Sequence, residues 1–270
     1  EGQMERSCNH LLFRKDMLED SRGQVAIVIP ALNEEDALQS LLSEIPQGAA
    51  RWTIVIDNGS TDRTAEVARA AGAIVVSEPQ RGYGRACYKG FMTAKELGAD
   101  ILVFMDGDGS DDPADLPIMI EPVLTGAADL VIGSRVSKRA EQGAVPPQAR
   151  LGNWLVSHMI HLLYRVPIHD IGSFRATQCS ALTNLQMHEM TFGWPVEMLV
   201  KSARARYHII EQPIHYRKRS HGQSKVSGTL MGSIKAAYYM LSITLRYAGA
   251  QGRYGYAEAQ RQHSYAGAQR

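Results

Sequence analysis

Ile101-Leu102-Val103-Phe104-Met105-Asp106-Gly107-Asp108 decides the fold class: five apolar residues with no polar member, then two carboxylates flanking a glycine. A run of this kind reads as a strand buried on both faces, the mark of a parallel α/β sheet. Ligands in such sheets bind beyond the carboxyl ends of the strands, where these acids fall. Two carboxylates about 4 Å apart repel by about 4 kcal/mol at an effective dielectric of 20, so the pair invites a cation. Asp111 and Asp112 follow and deepen the negative field. An isolated Asp-x-Asp is most simply a solvated acidic turn; the motifs around this one argue for a site.

Outward from that run, strands and helices alternate. Val25 to Ile29 reads as a buried strand, and Asn33 is placed to cap a helix. The first turn of that helix holds Glu34, Glu35 and Asp36, and Leu38, Leu41, Leu42 and Ile45 share one face. Thr53 to Ile56 is a second strand, followed by a helix from about Asp62 to Gly72. Ile74 to Val76 is a third, followed by a glycine-rich turn and a helix ending near Gly98. The run at 101 is the fourth strand and Leu130 to Ile132 the fifth. This rhythm predicts an α/β domain with a mainly parallel sheet sandwiched by helices.

Beyond Gly133 the pattern loosens. Residues 136 to 149 are polar and contain Pro146-Pro147, the composition of a mobile loop, and a helix is expected from about Leu151 to Tyr164. Short strands are expected around Asp170 to Ala176 and Tyr207 to Tyr216, with a helix near Pro195 to Ala205 between them. The organisation expected is an extension over 1–23, a domain over 24–228, an amphipathic helix over 229–248 and a disordered tail over 249–270, rich in Gly, Ala, Gln and Tyr.

Composition narrows the function classes. The 270-residue chain is 44% hydrophobic and 21% charged, as a soluble globular domain is, and its net charge of +1 argues against general nucleic-acid binding. Cys8, Cys87 and Cys179 form neither a metal spacing nor a disulfide framework, so a reducing, cytoplasmic setting is expected. Glu1 to Ser7 carry no secretory signal pattern. Leu230 to Ala248 is the nearest approach to a membrane span, but it holds Lys235 and Arg246. It reads instead as an amphipathic helix, with Leu230, Ile234, Ala237, Leu241 and Leu245 opposite Gly232, Lys235, Tyr239, Ser242 and Arg246. Such a helix either packs on its own domain or lies in a membrane interface.

Four stretches end the predicted strands: Pro30-Ala31-Leu32-Asn33-Glu34-Glu35, Asp57-Asn58-Gly59-Ser60-Thr61-Asp62, Asp106-Gly107-Asp108-Gly109-Ser110-Asp111, and Gly133-Ser134-Arg135. Acids, small turn residues and an arginine converging at strand ends describe a nucleotide pocket. A phosphate-cradling glycine loop is missing; Gly82-Tyr83-Gly84-Arg85 lacks its flanks.

With these stretches in hand, the chain resembles the inverting family 2 glycosyltransferases of GT-A fold, through Ile29 to Glu35, Asp57 to Asp62, Gly82-Tyr83-Gly84 and Asp106-Gly107-Asp108. Asp170-Ile171-Gly172-Ser173-Phe174-Arg175 and Arg219-Ser220-His221-Gly222-Gln223-Ser224-Lys225 look like its dolichyl-phosphate mannose synthase and polyprenyl-phosphate glycosyltransferase branch. The resemblance spans about residues 25 to 230. It implies that Pro30, Ala31, Asn33, Glu34, Glu35, Asp57, Gly82, Gly84, Asp106 and Gly107 bind the donor nucleotide. Asn58 stands where the second acid is usual, which leaves base selection open. Asp106 and Asp108 would hold Mg²⁺ or Mn²⁺, with Ser110 an optional further ligand. Arg135, Arg150, Arg175, Arg219 and Lys225 would gather around the donor diphosphate and an acceptor phosphate, with Arg135, Arg150, Arg175 and Lys225 meeting the acceptor, which suits the planar guanidinium fork.

An acceptor phosphate is already anionic and needs no general base. If the acceptor were a neutral hydroxyl, Glu197 or Asp170 would have to serve as base, though Glu197 reads equally as a helix-start acid. His158 and His161 lie at i, i+3 without an evident third ligand, and Arg217 and Lys218 read as surface residues. The expectation is a metal-dependent hexosyltransferase acting at the inner face of a membrane on a phosphorylated polyisoprenoid, with a membrane partner or second copy possible. The catalytic set would be Asp108, Arg135, Arg219, Lys225, Asp170 and Glu197, under a closing loop from Val136 to Arg150. The rivals are transfer to a soluble hydroxyl compound and a non-catalytic sugar-nucleotide binding subunit.

Overall fold

The computed structural model describes residues 24–219 and 230–248. Lys225, His221, the extension before residue 24 and the tail after 248 lie outside the described residues. Seven strands form one sheet: β1 (Val25–Ala31), β2 (Trp52–Asp57), β3 (Ile74–Ser77), β4 (Ile101–Phe104), β5 (Leu130–Ser134), β6 (Arg175–Gln178) and β7 (Ile209–Pro213). The described helices are α1 (Glu35–Glu44), α2 (Thr64–Ala70), α3 (Tyr83–Glu96), α4 (Leu116–Leu124), α5 (Pro147–Tyr164), α6 (Cys179–Leu185), α7 (Trp194–Arg204) and α8 (Leu230–Ala248).

The strand order is β3-β2-β1-β4-β6-β5-β7, and every pairing is parallel except those of β6. Alternation along the strands divides the core between the two faces. Ala26, Val28, Ile54, Ile56, Leu102, Phe104 and Ile132 pack with Val156, Ile160, Trp194 and Leu199. Val25, Ile27, Ile29, Val55, Val103, Met105 and Val131 pack with Leu38, Leu41, Leu116 and Met119. Burial on both faces is why these strands read as unbroken apolar runs.

The antiparallel strand matters most for the site. Arg175, the first residue of β6, sits opposite Phe104 of β4 and Ile132 of β5. A strand running against its neighbours begins where theirs end, so the segment 170–174 arrives at the carboxyl edge of the sheet. Strand β7 runs with β5 and ends beside Ser134. The chain beyond it crosses the acidic loop: Arg217 N–H donates to the Ser110 carbonyl at 2.8 Å, and Tyr216 bridges Asp111.

The described part of α8 docks on the domain by residues of both expected stripes, Leu241 of the apolar one and Tyr239 of the other packing against the core. Ile243 and Thr244 are wholly buried, and Tyr239, Met240 and Tyr247 pack against the core, whereas Leu245 is 55% exposed. Polar contacts add to this docking: the Tyr239 hydroxyl donates to Glu189 at 2.8 Å and the Tyr247 hydroxyl to Glu197 at 2.6 Å. Among the described residues no helix is long and apolar enough to cross a membrane.

Candidate active site

The loops after β1 and β2 are laced together. Asn33 N–H donates to Ser60 Oγ at 3.0 Å, and Asn33 Oδ1 accepts from Thr61 N–H at 2.8 Å. Asn33 has φ of 52° and does not cap α1; the cap position is Glu34, which lacks a side-chain cap bond. Asparagine is among the residues that tolerate this left-handed backbone, and here that turn joins two strand ends. Asp57 accepts from Ser60 N–H at 3.0 Å, and Glu35 is bound to Arg63 at 3.2 Å. Asn58 is buried; its amide donates to the Glu78 and Gln80 carbonyls and accepts from Gly82 N–H. A carboxylate could not make both donations, which explains Asn58 as a tether for the loop after β3.

Gly82 and Gly84 serve close packing. A Cβ on either would lie 2.3 Å from a backbone oxygen, that of Met190 or of Glu189. Gly84 N–H and Arg85 N–H bond the Thr191 and Met190 carbonyls at 3.0 Å. These two glycines seat the start of α3 against residues 189–191.

The acids gather after β4. Gly107 lies against Pro30 and Ala31, a Cβ there falling 3.2 Å from the Pro30 oxygen. Asp106 accepts from Ser173 Oγ at 2.7 Å, and Asp108 accepts from Ser110 N–H and Oγ at 3.0 and 2.6 Å. Arg219 pairs with Asp108 at 2.6 Å. Burial first, then the charge of Asp108, raises the Asp106 carboxyl to about 6. Asp111, buried beside both, is pushed well above the usual carboxylate range for the same reasons. Its Oδ1 is buried without a hydrogen-bond partner among the described residues.

Mutual repulsion and an orphaned carboxylate oxygen are what a hard divalent cation relieves, and the donors are all oxygen. Among the described residues no set of three or more acids, histidines or cysteines is arranged to hold an ion alone. A cation at Asp106 and Asp108 would therefore complete its shell with water and ligand oxygens, as Mg²⁺ does on phosphates.

Facing the acids is a locked arginine. Arg135 donates to Asp170 from its backbone N–H at 2.6 Å, from Nε at 2.9 Å and from Nη2 at 2.6 Å. Asp170 also accepts from Ile171 N–H at 2.7 Å. Burial pushes Asp170 up, but the Arg135 charge and these bonds outweigh it and hold the carboxyl below its usual value. The Arg135 guanidinium also lies 5.4 Å from the Tyr216 ring centroid, next to Asp111.

Several expected residues stand elsewhere. Glu197 is completely buried and accepts from His188 N–H, Glu189 N–H and Tyr247 while paired to Lys201 at 2.9 Å. Burial raises its carboxyl and these bonds more than reverse that, so it stays below its usual value. It is an anchor, and geometry runs against a base there. Asp170 is likewise saturated, its oxygens taken by Arg135 and Ile171 N–H. Arg175 is buried, spending Nε on the Gly172 carbonyl and Nη1 on the Pro195 carbonyl, and burial lowers it to about 10. It can steady the 170–174 segment but has no surface on which to meet an acceptor. Arg150 is exposed in the first turn of α5. Arg217 is not free, pairing with Glu44 and Asp112.

Ser173 and Tyr216 were given no part of their own by sequence reading, and Asp111 only a share in the negative field. Asp111 stood in the acidic run and Ser173 in the Asp170 stretch; Tyr216 carried no local signal.

The sheet order, the acids after β4 and the arginines across from them define a glycosyltransferase of GT-A fold. The chain belongs to glycosyl transferase family 2, whose family model matches residues 26–185. An uncharacterized glycosyltransferase of Mycobacterium tuberculosis is 41% identical over 213 residues, 78% of this chain and 94% of that protein. The undecaprenyl-phosphate mannosyltransferase of Micrococcus luteus is 29% identical over 86% of this chain and 99% of its own length. The dolichyl-phosphate hexose transferase of Haloferax volcanii is 33% identical over 78% and 90%. Among solved structures, glucosyl-3-phosphoglycerate synthase of M. tuberculosis with Mn²⁺ and UDP matches with TM-score 0.66 at 24% identity, covering 86% of this chain and 83% of that one. That last likeness speaks to the fold.

Proposed function

We propose that this glycosyltransferase moves a hexose from a nucleoside-diphosphate sugar to a polyprenyl phosphate, inverting the anomeric carbon in one displacement. The observation that carries the reading is the Asp170-locked Arg135 facing the Asp106–Asp108–Asp111 acids. An arginine rigidly aimed beside a cation-seeking cluster suits two phosphate-bearing substrates meeting at one sugar. The relatives named for polyprenyl- and dolichyl-phosphate transfer support the acceptor class.

In the reaction an acceptor phosphate oxygen bonds to the anomeric carbon as its bond to the diphosphate breaks. The nucleoside diphosphate leaves with that electron pair, and no proton need move. Asp106 and Asp108 would hold Mg²⁺ or Mn²⁺, which supplies Lewis-acid stabilisation of charge on the departing diphosphate. Pro30, Ala31 and Asp57 line the nucleoside side. Arg135 orients the acceptor phosphate. Arg219 is one ion-pair exchange, from Asp108 to a phosphate oxygen, away from the donor; Lys225 would join it. The hydroxyl-acceptor alternative loses support because both of its bases are already saturated with hydrogen bonds. The setting would be the cytoplasmic face of a membrane.

Labelled UDP- and GDP-hexoses, incubated with Mn²⁺ or EDTA and polyprenyl phosphate and then extracted into organic solvent, test the reading. Mn²⁺-dependent label in the organic phase, lost in Asp108→Ala, is expected. Donor consumption with nothing extracted would overturn the acceptor class, and no consumption of any donor would overturn the reaction.

A further inference from the structure

Helix α5 leaves an apolar row uncovered. Leu151 is 66% exposed, Trp154 59%, Leu155 43% and Leu162 62%. At 100° per residue these four fall within about 100° of arc, while the buried Val156, Ser157 and Ile160 face the other way. His158 lies inside the row, stacked on Trp154 with ring centroids 5.6 Å apart. Contiguous exposed apolar side chains on one helix face mark an interaction surface.

Charge says what kind. Between Glu141 and Asp170 there is no acid at all. Exposed Arg150 and Arg165 stand at the two ends of α5, with exposed Lys138 and Arg139 in the loop before it. An apolar stripe bounded by cations is the pattern of a helix lying at an anionic lipid surface. A symmetric contact with a second copy would set these cations against each other, with no acid on the helix to pair them.

The helix that carries the row is also joined to the site, from its opposite face. Asn153, between Leu151 and Trp154, accepts from Ile171 N–H at 2.9 Å and donates to the His169 carbonyl at 3.0 Å. Those residues flank Asp170, which holds Arg135. We propose that this face of α5, not α8 alone, seats the protein on an anionic bilayer. The row would sink to the headgroup–acyl boundary, with Arg150 and Arg165 among the headgroups. The proposal deepens the lipid-phosphate reading and rests on it for its purpose.

Co-sedimentation of the full chain with vesicles of phosphatidylcholine, or phosphatidylcholine with about one-third phosphatidylglycerol, tests it. Binding is expected to the anionic vesicles, with a blue shift of the emission that Trp154→Ser removes. Trp154→Ser with Leu162→Ser should weaken binding about ten-fold, while the sheet-edge control Ile74→Ser leaves it unchanged. No binding, or equal binding by the double variant, overturns the proposal. So does a wild-type dimer in light scattering that the double variant dissolves, or Trp154 emission already blue without vesicles. Transfer to polyprenyl phosphate in detergent separates the two readings. Vesicle binding without transfer would fault the reaction, and transfer without vesicle binding would fault the surface.

Discussion

Asp170→Asn is the most incisive perturbation of the site. Asp170 is 1% exposed and accepts four hydrogen bonds, at 2.6, 2.9, 2.6 and 2.7 Å, three of them from Arg135. An amide keeps one oxygen and turns an NH₂ toward donors, so it forfeits two of the four acceptances and the charge. Breaking a buried ion pair by removing one partner costs about 3–5 kcal/mol. For a chain of this size that lowers Tm by roughly 10 °C. Because the folded Asp170 carboxyl titrates below its usual 3.8, its contribution is fully present above that value. It is lost only as pH falls through the lower folded pKa. The gap between wild type and variant should therefore hold from neutral pH down to about pH 4 and close below it. Thermal unfolding across pH, with steady-state kinetics on the folded variant, reads both effects. Turnover should fall because Arg135 loses its aim. A Tm within about 2 °C of wild type at pH 7 would refute the stability reasoning. Unchanged kcat with a lowered Tm would refute the positioning role.

Three further outcomes follow from the same geometry. Asp108→Ala should lower nucleoside-diphosphate release at least about 100-fold, measured with saturating Mn²⁺, because it removes one of the two carboxylates that would hold the cation. Glu197→Gln should lower stability at neutral pH yet leave turnover of the folded fraction within about two-fold. Glu197 titrates below 4.5 when folded, so wild-type stability should fall in acid below that value and the variant's curve should be flatter there. Gly84→Ala places a Cβ 2.3 Å from the Glu189 backbone oxygen, and urea unfolding should show a loss of about 1–3 kcal/mol.

Much of the sheet was legible because buried strands write themselves as apolar runs. All five of the first strands fall within a residue or two of their expected places, and the acids after β4 stand at a strand end as read. Local features misled where a side chain had a distant partner. Asn33 has the chemistry of a cap, yet Ser60 and Thr61 claim it. Glu197 has the chemistry of a helix-start acid or base, yet four groups from 188–189, 201 and 247 consume it. Helix α4 and helix α6 were not read at all, the first interrupted in pattern by Pro117 and Pro122 and the second only seven residues long.

By itself, the sequence determined the parallel core, the strand-end acids and the arginines, because periodicity and residue chemistry are properties of the local chain. Only the tertiary structure decided which of those residues meet. The antiparallel entry of β6 brings Asp170 to Arg135, and the path beyond β7 carries Arg219 to Asp108. Partnerships across 35 or 111 residues depend on strand order, and strand order is set by how whole elements pack, not by any one stretch.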